Sequence, residues 1–389
     1  MNKKIWVFWA VISVFFFMKL NAQNYAVNSP NGKLSVNLWL NDKGEPFYNV
    51  THSGNIILRE SKLGLLRSDG DFTQNLKWDS VSQELRVGDK YTLLHGKRLY
   101  CEYTANKRIF YLKNKDSKPL GIIFQLSDDG VAFRYFFPDK SDKIVKIYRE
   151  TTSFHFNASA KGFLQPCPDA RTGWSYTQPS YEEYYQLEIP AGTPSPFQAG
   201  WVMPALFNDG TYWISITETA VDTNYCGSRL SQFSPNGEYT IQFPQPQECR
   251  DGEPYLPEST LPWYTPWRII AVADNLAGLV ESTLATNLAN PAQYDVSGWL
   301  KPGIASWSWV ILKDEATVYD VQKRFIDFAA QMNWQYCLID ALWDTQIGYE
   351  KIEVLAEYAN TKNVKILLWY NSAGNWNTTT ITPRDKMLT

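Results

Sequence analysis

The sequence has few histidines, few cysteines and no excess of positive charge. Only three histidines occur among 389 residues, which is too few for a histidine-based metal site or catalytic triad. The five cysteines, at positions 101, 167, 226, 249 and 337, form no CxxC or cysteine–histidine spacing, so neither a zinc site nor a thioredoxin-like motif is indicated. Their odd number leaves at least one thiol unpaired. Carboxylates are therefore the candidates for chemistry.

The net charge of -3 and the isoelectric point of about 5.8 argue against a nucleic-acid or anionic-lipid partner. What the chain has in excess is aromatic residues, at 15% with 16 Trp and 23 Tyr. Aromatic rings pack well on the pleated surface of antiparallel strands, and they also stack on the C–H faces of sugars. The composition fits a β protein and a carbohydrate ligand without choosing between them.

The N-terminus predicts a signal peptide over residues 1–22. Lys3 and Lys4 precede an apolar run from Ile5 to Met18, which is short for a bilayer span, and small-residue chemistry follows at Ala22. An uncleaved anchor is the alternative, and no Cys follows the run as a lipobox would require. We expect a secreted protein without stable membrane insertion, in the periplasm if the source is Gram-negative.

Residues 23–273 read as one large antiparallel β domain. Apolar residues alternate from Lys33 to Leu40 and again from Gly130 to Phe137, and turn signals such as Asp128-Asp-Gly130 separate such runs at hairpin intervals. The size exceeds an immunoglobulin-like sandwich. We therefore predict a β-supersandwich of two extended, packed sheets.

After a linker helix predicted within 274–297, the rhythm changes to strand, helix, strand over 298–389. Strands are predicted at Ile304–Ile311, Tyr336–Ile339 and Val364–Trp369. Helices are predicted from about Glu315, with a buried stripe of Val318, Val321, Phe325, Phe328 and Met332, and from about Tyr349, with Ile352, Leu355 and Tyr358 or Ala359. This pattern is typical of a parallel sheet covered by helices. We expect the first three βα units of an incomplete (β/α)8 TIM barrel that would continue past Thr389.

Candidate site residues lie where the apolar strands end, because a βα barrel places its active site there. The carboxylate, indole and amide groups in these positions suit the hydroxyls and C–H faces of a pyranose. The predicted substrate-binding residues are Asp340, Trp307, Trp309, Trp343, Trp369 and Asn371. The alternatives are that Asp340 caps a helix and that the indoles fill the barrel interior.

Glycoside hydrolysis needs two carboxyl groups on opposite sides of the scissile bond. Asp340 and Asp344 lie on one loop and would approach the sugar from the same side, so no residue of this chain is assigned a catalytic role. In the β domain, Glu182 and Glu183 are either solvated surface acids or a source of one calcium ligand. The residues alone leave that choice open.

The order of several motifs resembles glycoside hydrolase family 97. They are Val27–Lys33, Ser61–Gly64, Asp128–Tyr135, Tyr181-Glu182, Ile216–Glu218, Thr265–Ile270, Leu300–Gly303 and Ser306–Trp309. The resemblance implies a β-supersandwich, a catalytic barrel, a small C-terminal β domain, and a calcium ion that takes one glutamate from the sandwich. Glu182 matches that glutamate, with Glu183 as the fallback.

Within that family, Arg324–Ala330 and Tyr336–Trp343 resemble the retaining type. The resemblance implies release of a terminal α-linked sugar from an oligosaccharide, as a retaining α-galactosidase, with an aspartate nucleophile and a glutamate acid/base after Thr389. The alternatives are an inverting α-glucosidase of the same family and a non-catalytic carbohydrate-binding protein. The 389-residue chain by itself is expected to be inactive, and the sequence leaves the oligomeric state open.

Overall fold

The computed structural model describes residues 24–172, 183–249 and 253–370. The predicted signal peptide, Glu182 and Asn371 lie outside the described residues. No helix in the described ranges combines the length and the apolarity needed to cross a bilayer.

The described strands, in chain order, are β1 (Tyr25–Asn28), β2 (Leu34–Leu40), β3 (Pro46–His52), β4 (Asn55–Lys62), β5 (Leu65–Arg67), β6 (Gly70–Asp71), β7 (Lys77–Val81), β8 (Leu85–Thr92), β9 (Tyr100–Lys113), β10 (Pro119–Ser127), β11 (Gly130–Glu150), β12 (Ser153–His155), β13 (Lys161–Leu164), β14 (Gln186–Pro190), β15 (Ala205–Asn208), β16 (Trp213–Thr219), β17 (Arg229–Leu230), β18 (Glu238–Gln242), β19 (Glu258–Tyr264), β20 (Trp267–Ala273), β21 (Ala305–Trp307), β22 (Tyr336–Ile339) and β23 (Lys365–Leu368). The α-helices are α1 (Leu276–Glu281), α2 (Leu284–Leu288), α3 (Trp309–Leu312), α4 (Tyr319–Gln331), α5 (Trp343–Gln346) and α6 (Tyr349–Thr361).

Strands β1 to β20 form an antiparallel β-sandwich. A large sheet runs in the order β14-β13-β15-β16-β20-β11-β10-β9-β7, with β5, β6, β8 and β19 attached to it. The sheet β1-β2-β3-β4 and the sheet β12-β18-β17 contribute buried side chains to the same core as the large sheet. The predicted alternation is confirmed where it matters for this core, because the following side chains are all buried: Leu34, Val36, Leu38, Val131, Phe133, Tyr135 and Phe137.

The sandwich core also contains a charged group. Arg268 on β20 forms ion pairs with Glu150 at the end of β11, at 2.5 Å, and with Glu218 on β16. Glu218 and Arg268 are direct cross-strand partners in the β16–β20 ladder. Two of the motifs that carried the family resemblance, Ile216–Glu218 and Thr265–Ile270, therefore hold the sandwich together.

The linker is two short helices rather than one. Helix α1 ends at Glu281, and α2 begins at Leu284 after a break at Ser282 and Thr283. Leu284 and Leu288 pack on the outer face of the large sheet. Gly130 permits this approach, because a Cβ there would lie 2.5 Å from the Ile270 carbonyl oxygen and 2.6 Å from a Leu284 methyl group.

Strands β21, β22 and β23 form a separate parallel sheet, with α4 and α6 packed against it. This region, 305–370, is called the parallel unit. Its registers pair Trp307 with Leu338, and Leu338 with Leu367. Helix α6 buries Ile352, Leu355 and Ala359, as predicted. Closure of the parallel unit into a barrel stays a prediction.

Two sequence predictions for the parallel unit were wrong. The first strand is Ala305–Trp307 and not Ile304–Ile311, because the chain turns at Ser308 into α3. Helix α4 buries Gln322, Ile326 and Ala329, whereas Phe328 and Met332 of the predicted stripe are exposed. Gln322 can be buried because its amide donates to the Ser308 hydroxyl and to the Ala316 carbonyl, both at 3.0 Å.

Candidate functional site

The carboxyl ends of the three parallel strands meet at one edge of the parallel unit. Trp307 ends β21, Asp340 follows β22 and Trp369 follows β23. The Trp369 amide donates to the Ile339 carbonyl oxygen at 3.0 Å, which keeps the chain paired to the last residue before Asp340. The structure therefore brings Trp307, Asp340 and Trp369 to one edge, as the βα pattern predicts.

Asp340 fixes the orientation of an indole ring. Its Oδ2 atom accepts a hydrogen bond of 2.6 Å from Trp307 Nε1, and its Oδ1 atom accepts one of 2.6 Å from the Ala341 amide. The residue is only 5% exposed. Charge-assisted hydrogen bonds of this length are strong, so both oxygens are engaged within the chain and the Trp307 ring is held in one orientation.

Trp307 and Trp309 stack on one another. Their ring centroids are 5.8 Å apart with an interplanar angle of 17°. Trp307 is 39% exposed. The indole of Trp309 is fixed by a separate carboxylate, because its Nε1 atom donates to Asp314 at 2.7 Å, and the Lys313 ammonium lies 4.2 Å from its ring centroid. The pair forms an aromatic wall of the kind that stacks on sugar C–H faces.

Trp343 lies in the core of the parallel unit. It is fully buried, its Nε1 atom donates to the Trp369 carbonyl oxygen at 2.9 Å, and its ring contacts Tyr349 and Tyr370 edge to face. No open surface of the ring faces the edge, so the structure lends no support to the prediction that Trp343 binds substrate. The bond to Trp369 instead ties the end of β23 to α5.

Sequence reasoning missed the contacts that join the loops after β21 and β22. With its amide oriented to donate, Gln346 bonds to the carbonyl oxygens of Asp314 and Thr317, both at 3.2 Å. One carboxylate oxygen of Asp344 and the Thr317 hydroxyl are buried without a hydrogen-bond partner in the described part of the chain. A buried oxygen without a hydrogen-bond partner lowers the stability of the fold unless another polar group bonds to it. No sequence spacing signals these contacts, because the residues come from different loops.

The described residues hold no group of three or more potential His, Cys, Asp or Glu metal ligands. Because Glu182 lies outside them, the structure offers no test of the predicted calcium site. Cys337 is buried under the edge, and burial raises the pKa of its thiol. It is therefore a protonated core residue and not a candidate nucleophile.

A sequence profile described as the glycosyl-hydrolase 97 N-terminal domain matches residues 27–291. A probable retaining α-galactosidase of Streptomyces bingchenggensis is 26% identical over 334 residues, which cover 82% of this chain and 48% of that protein. A retaining α-galactosidase of Bacteroides thetaiotaomicron is 23% identical, covering 92% of this chain and 57% of that protein. The chain thus spans about half the length of the curated relatives it matches.

Solved structures give a concordant result. The crystal structure of a β-arabinopyranosidase superposes with a TM-score of 0.87 at 38% identity, covering 92% of this chain and 57% of that one. A glycoside hydrolase family 97 enzyme from Pseudoalteromonas sp. strain K8, in complex with panose, superposes with a TM-score of 0.70 at 22% identity. It covers 88% of this chain and 53% of its own. At 22% identity, the similarity to this second structure is evidence for the fold alone.

Proposed function

Because the chain belongs to glycoside hydrolase family 97, we propose that the complete protein is a retaining glycosidase that releases a terminal α-D-galactopyranosyl or β-L-arabinopyranosyl residue. The observation that carries the proposal is the set of named relatives. One is a retaining α-galactosidase, another is a probable retaining α-galactosidase, and a solved structure at 38% identity is a β-arabinopyranosidase.

These two activities are chemically close. β-L-Arabinopyranose and α-D-galactopyranose have the same configuration from the anomeric carbon to C4, and they differ by the hydroxymethyl group on C5. A site that binds one ring therefore binds the common part of the other, and discrimination depends on the space beside C5. The methylene of that group is worth about 1–3 kcal/mol in a fitted apolar pocket, and its hydroxyl adds further discrimination where the site hydrogen-bonds it.

In this proposal, the parallel unit contributes part of a (β/α)8 barrel and the sugar lies at its carboxyl edge. The wall formed by Trp307 and Trp309 would stack on the pyranose, Asp340 would hold that wall in place, and Trp369 and Asn371 would complete the edge. Retention requires two carboxyl groups about 5 Å apart. We propose that both belong to the part of the longer relatives that this chain does not cover, which corresponds to sequence after Thr389.

Two expectations from the sequence belong to the same proposal. A calcium ion would take Glu182 as one ligand, because hard oxygen ligands suit that ion. The protein would act outside the cytoplasm after removal of residues 1–22, on an oligosaccharide substrate.

The test is hydrolysis of three aryl glycosides by the protein made from the complete reading frame: α-D-galactopyranoside, β-L-arabinopyranoside and α-D-glucopyranoside. Proton NMR of the first sugar released reports its anomeric form. We expect turnover of the first or second substrate with the anomeric configuration kept. Turnover of the glucoside alone, with inversion, would replace the proposal by an inverting α-glucosidase.

The 389-residue chain provides a second test. We expect it to give no hydrolysis of any of the three glycosides, because the described parallel unit supplies only three of the eight strands of a barrel. Saturable binding of galactose or arabinose without turnover would favour a non-catalytic role for this polypeptide. Turnover by this chain would contradict the assignment of the catalytic carboxylates.

A further inference from the structure

Arg134 on β11 lies on the outer face of the large sheet, away from the sandwich core. Its guanidinium carbon lies 4.4 Å from the ring centroid of Tyr264 and 4.4 Å from that of Trp267. Tyr264 in turn stacks on Phe136, with centroids 4.1 Å apart and an interplanar angle of 13°. The four side chains form a ladder, which leaves only the edge of the guanidinium free for a hydrogen-bond acceptor.

No acceptor in the described part of the chain meets that edge. Within the described ranges, Arg134 makes no hydrogen bond or ion pair, and its Nε atom is buried without a partner. Burial lowers the pKa of the Arg134 guanidinium. Lys107 on β9 faces the same surface, and its pKa is lowered by burial and then by the charge of Arg134. Within the described ranges neither Lys107 nor Arg134 forms an ion pair with a carboxylate, and leaving a partly buried cation without such a partner costs free energy.

A matched arginine in the same sandwich shows what is missing. Arg67 also lies between two rings, at 5.0 Å from Phe72 and 4.4 Å from Phe137. Unlike Arg134, it has carboxylates: Asp69 at 2.5 Å and Asp139 at 4.0 Å. The same ring arrangement therefore has its anionic complement at Arg67 and lacks it at Arg134.

We propose that the outer face around Arg134 is a docking surface for a carboxylate-bearing segment of the same polypeptide, in the part that follows the aligned portion in the curated relatives. A carboxylate placed edge-on would form the bidentate pair that the exposed guanidinium edge fits. It would also neutralise Lys107.

Two observations favour a protein segment over a free sugar acid. Arg134 lines none of four well-formed cavities in the described ranges, so none of these pockets would hold a small ligand against its guanidinium. The ladder is also continuous with an interface that already exists, because Trp267 belongs to the apolar cluster on which α2 packs through Leu284 and Leu288. The chain leaves the sandwich over this face, so the polypeptide after α2 starts from the same side of the sheet as Arg134.

The test compares Arg134→Met in the 389-residue chain and in the protein made from the complete reading frame. Met keeps a contact with both rings and removes the charge. In the short chain we expect the unfolding equilibrium constant of the sandwich to stay the same or fall by about fivefold, since an unpaired half-buried charge is lost. In the complete protein we expect it to rise by about fivefold, since a carboxylate loses its partner.

The control is Arg67→Met, which removes one of the two cationic partners of Asp69, leaves the other, Lys118 at 2.8 Å, in place, and should raise the unfolding constant equally in both lengths. Equal effects of Arg134→Met in both lengths would reduce the ladder to a purely structural feature and overturn the proposal. Stabilisation of the short wild-type chain by millimolar galacturonate, absent in Arg134→Met, would assign the surface to a sugar acid and also overturn it. None of these measurements uses glycosidase activity, so they stand or fall independently of the proposed function.

Discussion

The sandwich and the parallel unit use carboxylates in different ways. In the sandwich, Glu150 and Glu218 compensate the charge of Arg268 within the core, where the side chains of Arg268 and Glu150 are almost fully buried. At the edge of the parallel unit, Asp340 has no ion pair with another described residue and instead orients Trp307, whose ring is partly open to solvent. The first arrangement fixes strand register, and the second presents a surface. Buried ion pairs thus stabilise the sandwich, whereas the candidate site lies in the parallel unit.

The largest effect is expected from Arg268→Met in the sandwich. Removing the cation leaves Glu150 buried without its ion pair, and breaking a buried pair in this way costs about 3–5 kcal/mol. Urea unfolding, followed by hydrogen exchange of peptides from β16 and β20, measures the loss. The control is Lys113→Met, whose half-exposed ion pair with Asp79 should contribute less than about 1 kcal/mol. A loss no larger than that control would show that water already reaches the pair.

The parallel unit should respond to Trp343→Phe without affecting the sandwich. The substitution removes the donor to the Trp369 carbonyl and leaves a small void in a core that shares no buried residue with the sandwich core. We expect a loss of about 2 kcal/mol, seen only in the hydrogen exchange of peptides from β22 and α6. Trp299→Phe at an exposed position is the control. Faster exchange in sandwich peptides would mean that the two regions unfold together.

The elements of these two regions could be predicted from the sequence where they depend on residues close together in the chain. Alternation in β2 and β11 and the stripe of α6 were predicted correctly, because each depends on residues that are neighbours in sequence. The prediction of the α4 stripe was wrong because Gln322 is buried with hydrogen bonds to Ser308 and Ala316. Hydropathy alone cannot predict that a polar side chain will find such partners. The strand assigned to Ile304–Ile311 was too long because its apolar residues continue into α3.

The site shows the same limit. Trp307, Asp340 and Trp369 could be placed at one edge from the βα pattern alone, since parallel strands end together. The hydrogen bonds that Trp307 donates to Asp340 and Trp309 donates to Asp314 could not be predicted, because they depend on the geometry of two loops. The same holds for the pairing of Glu218 with Arg268, which are 50 residues apart. Both residues stand in motifs that carried the family resemblance.

We predict that the sandwich loses stability at alkaline pH, because two of its cysteine thiols are buried. Burial raises the pKa of Cys167 to about 11 and that of Cys226 to about 12. In the unfolded chain a cysteine thiol has a pKa of about 8.5, so the unfolded state loses these protons before the folded state as the pH rises. The stabilisation is fully present below that pH and is lost as the pH rises toward 11 to 12.

Between pH 8.5 and 9.5, below the titration of tyrosine, each of these thiols should cost about 1 kcal/mol of unfolding free energy. Urea unfolding at both pH values measures the difference. The double variant Cys167→Ser, Cys226→Ser should flatten this dependence. An unchanged slope in that variant would assign the alkaline loss to other groups.

The smallest effect on stability is expected from Asp340→Asn, at about 1 kcal/mol. The asparagine keeps one acceptor oxygen, so it can satisfy either Trp307 Nε1 or the Ala341 amide but not both, and the bond that remains loses its charge assistance. We expect an upfield shift of the Trp307 indole N–H proton in the NMR spectrum, while the Trp309 signal stays in place. Asp314→Asn is the matched control, because it should shift the Trp309 signal and leave that of Trp307 unchanged. If Asp340→Asn moves both signals equally, the two indoles are oriented by stacking on each other. In that case Asp340 is free to bind substrate directly, and the contrast between a structural carboxylate in the sandwich and an orienting one at the edge no longer holds.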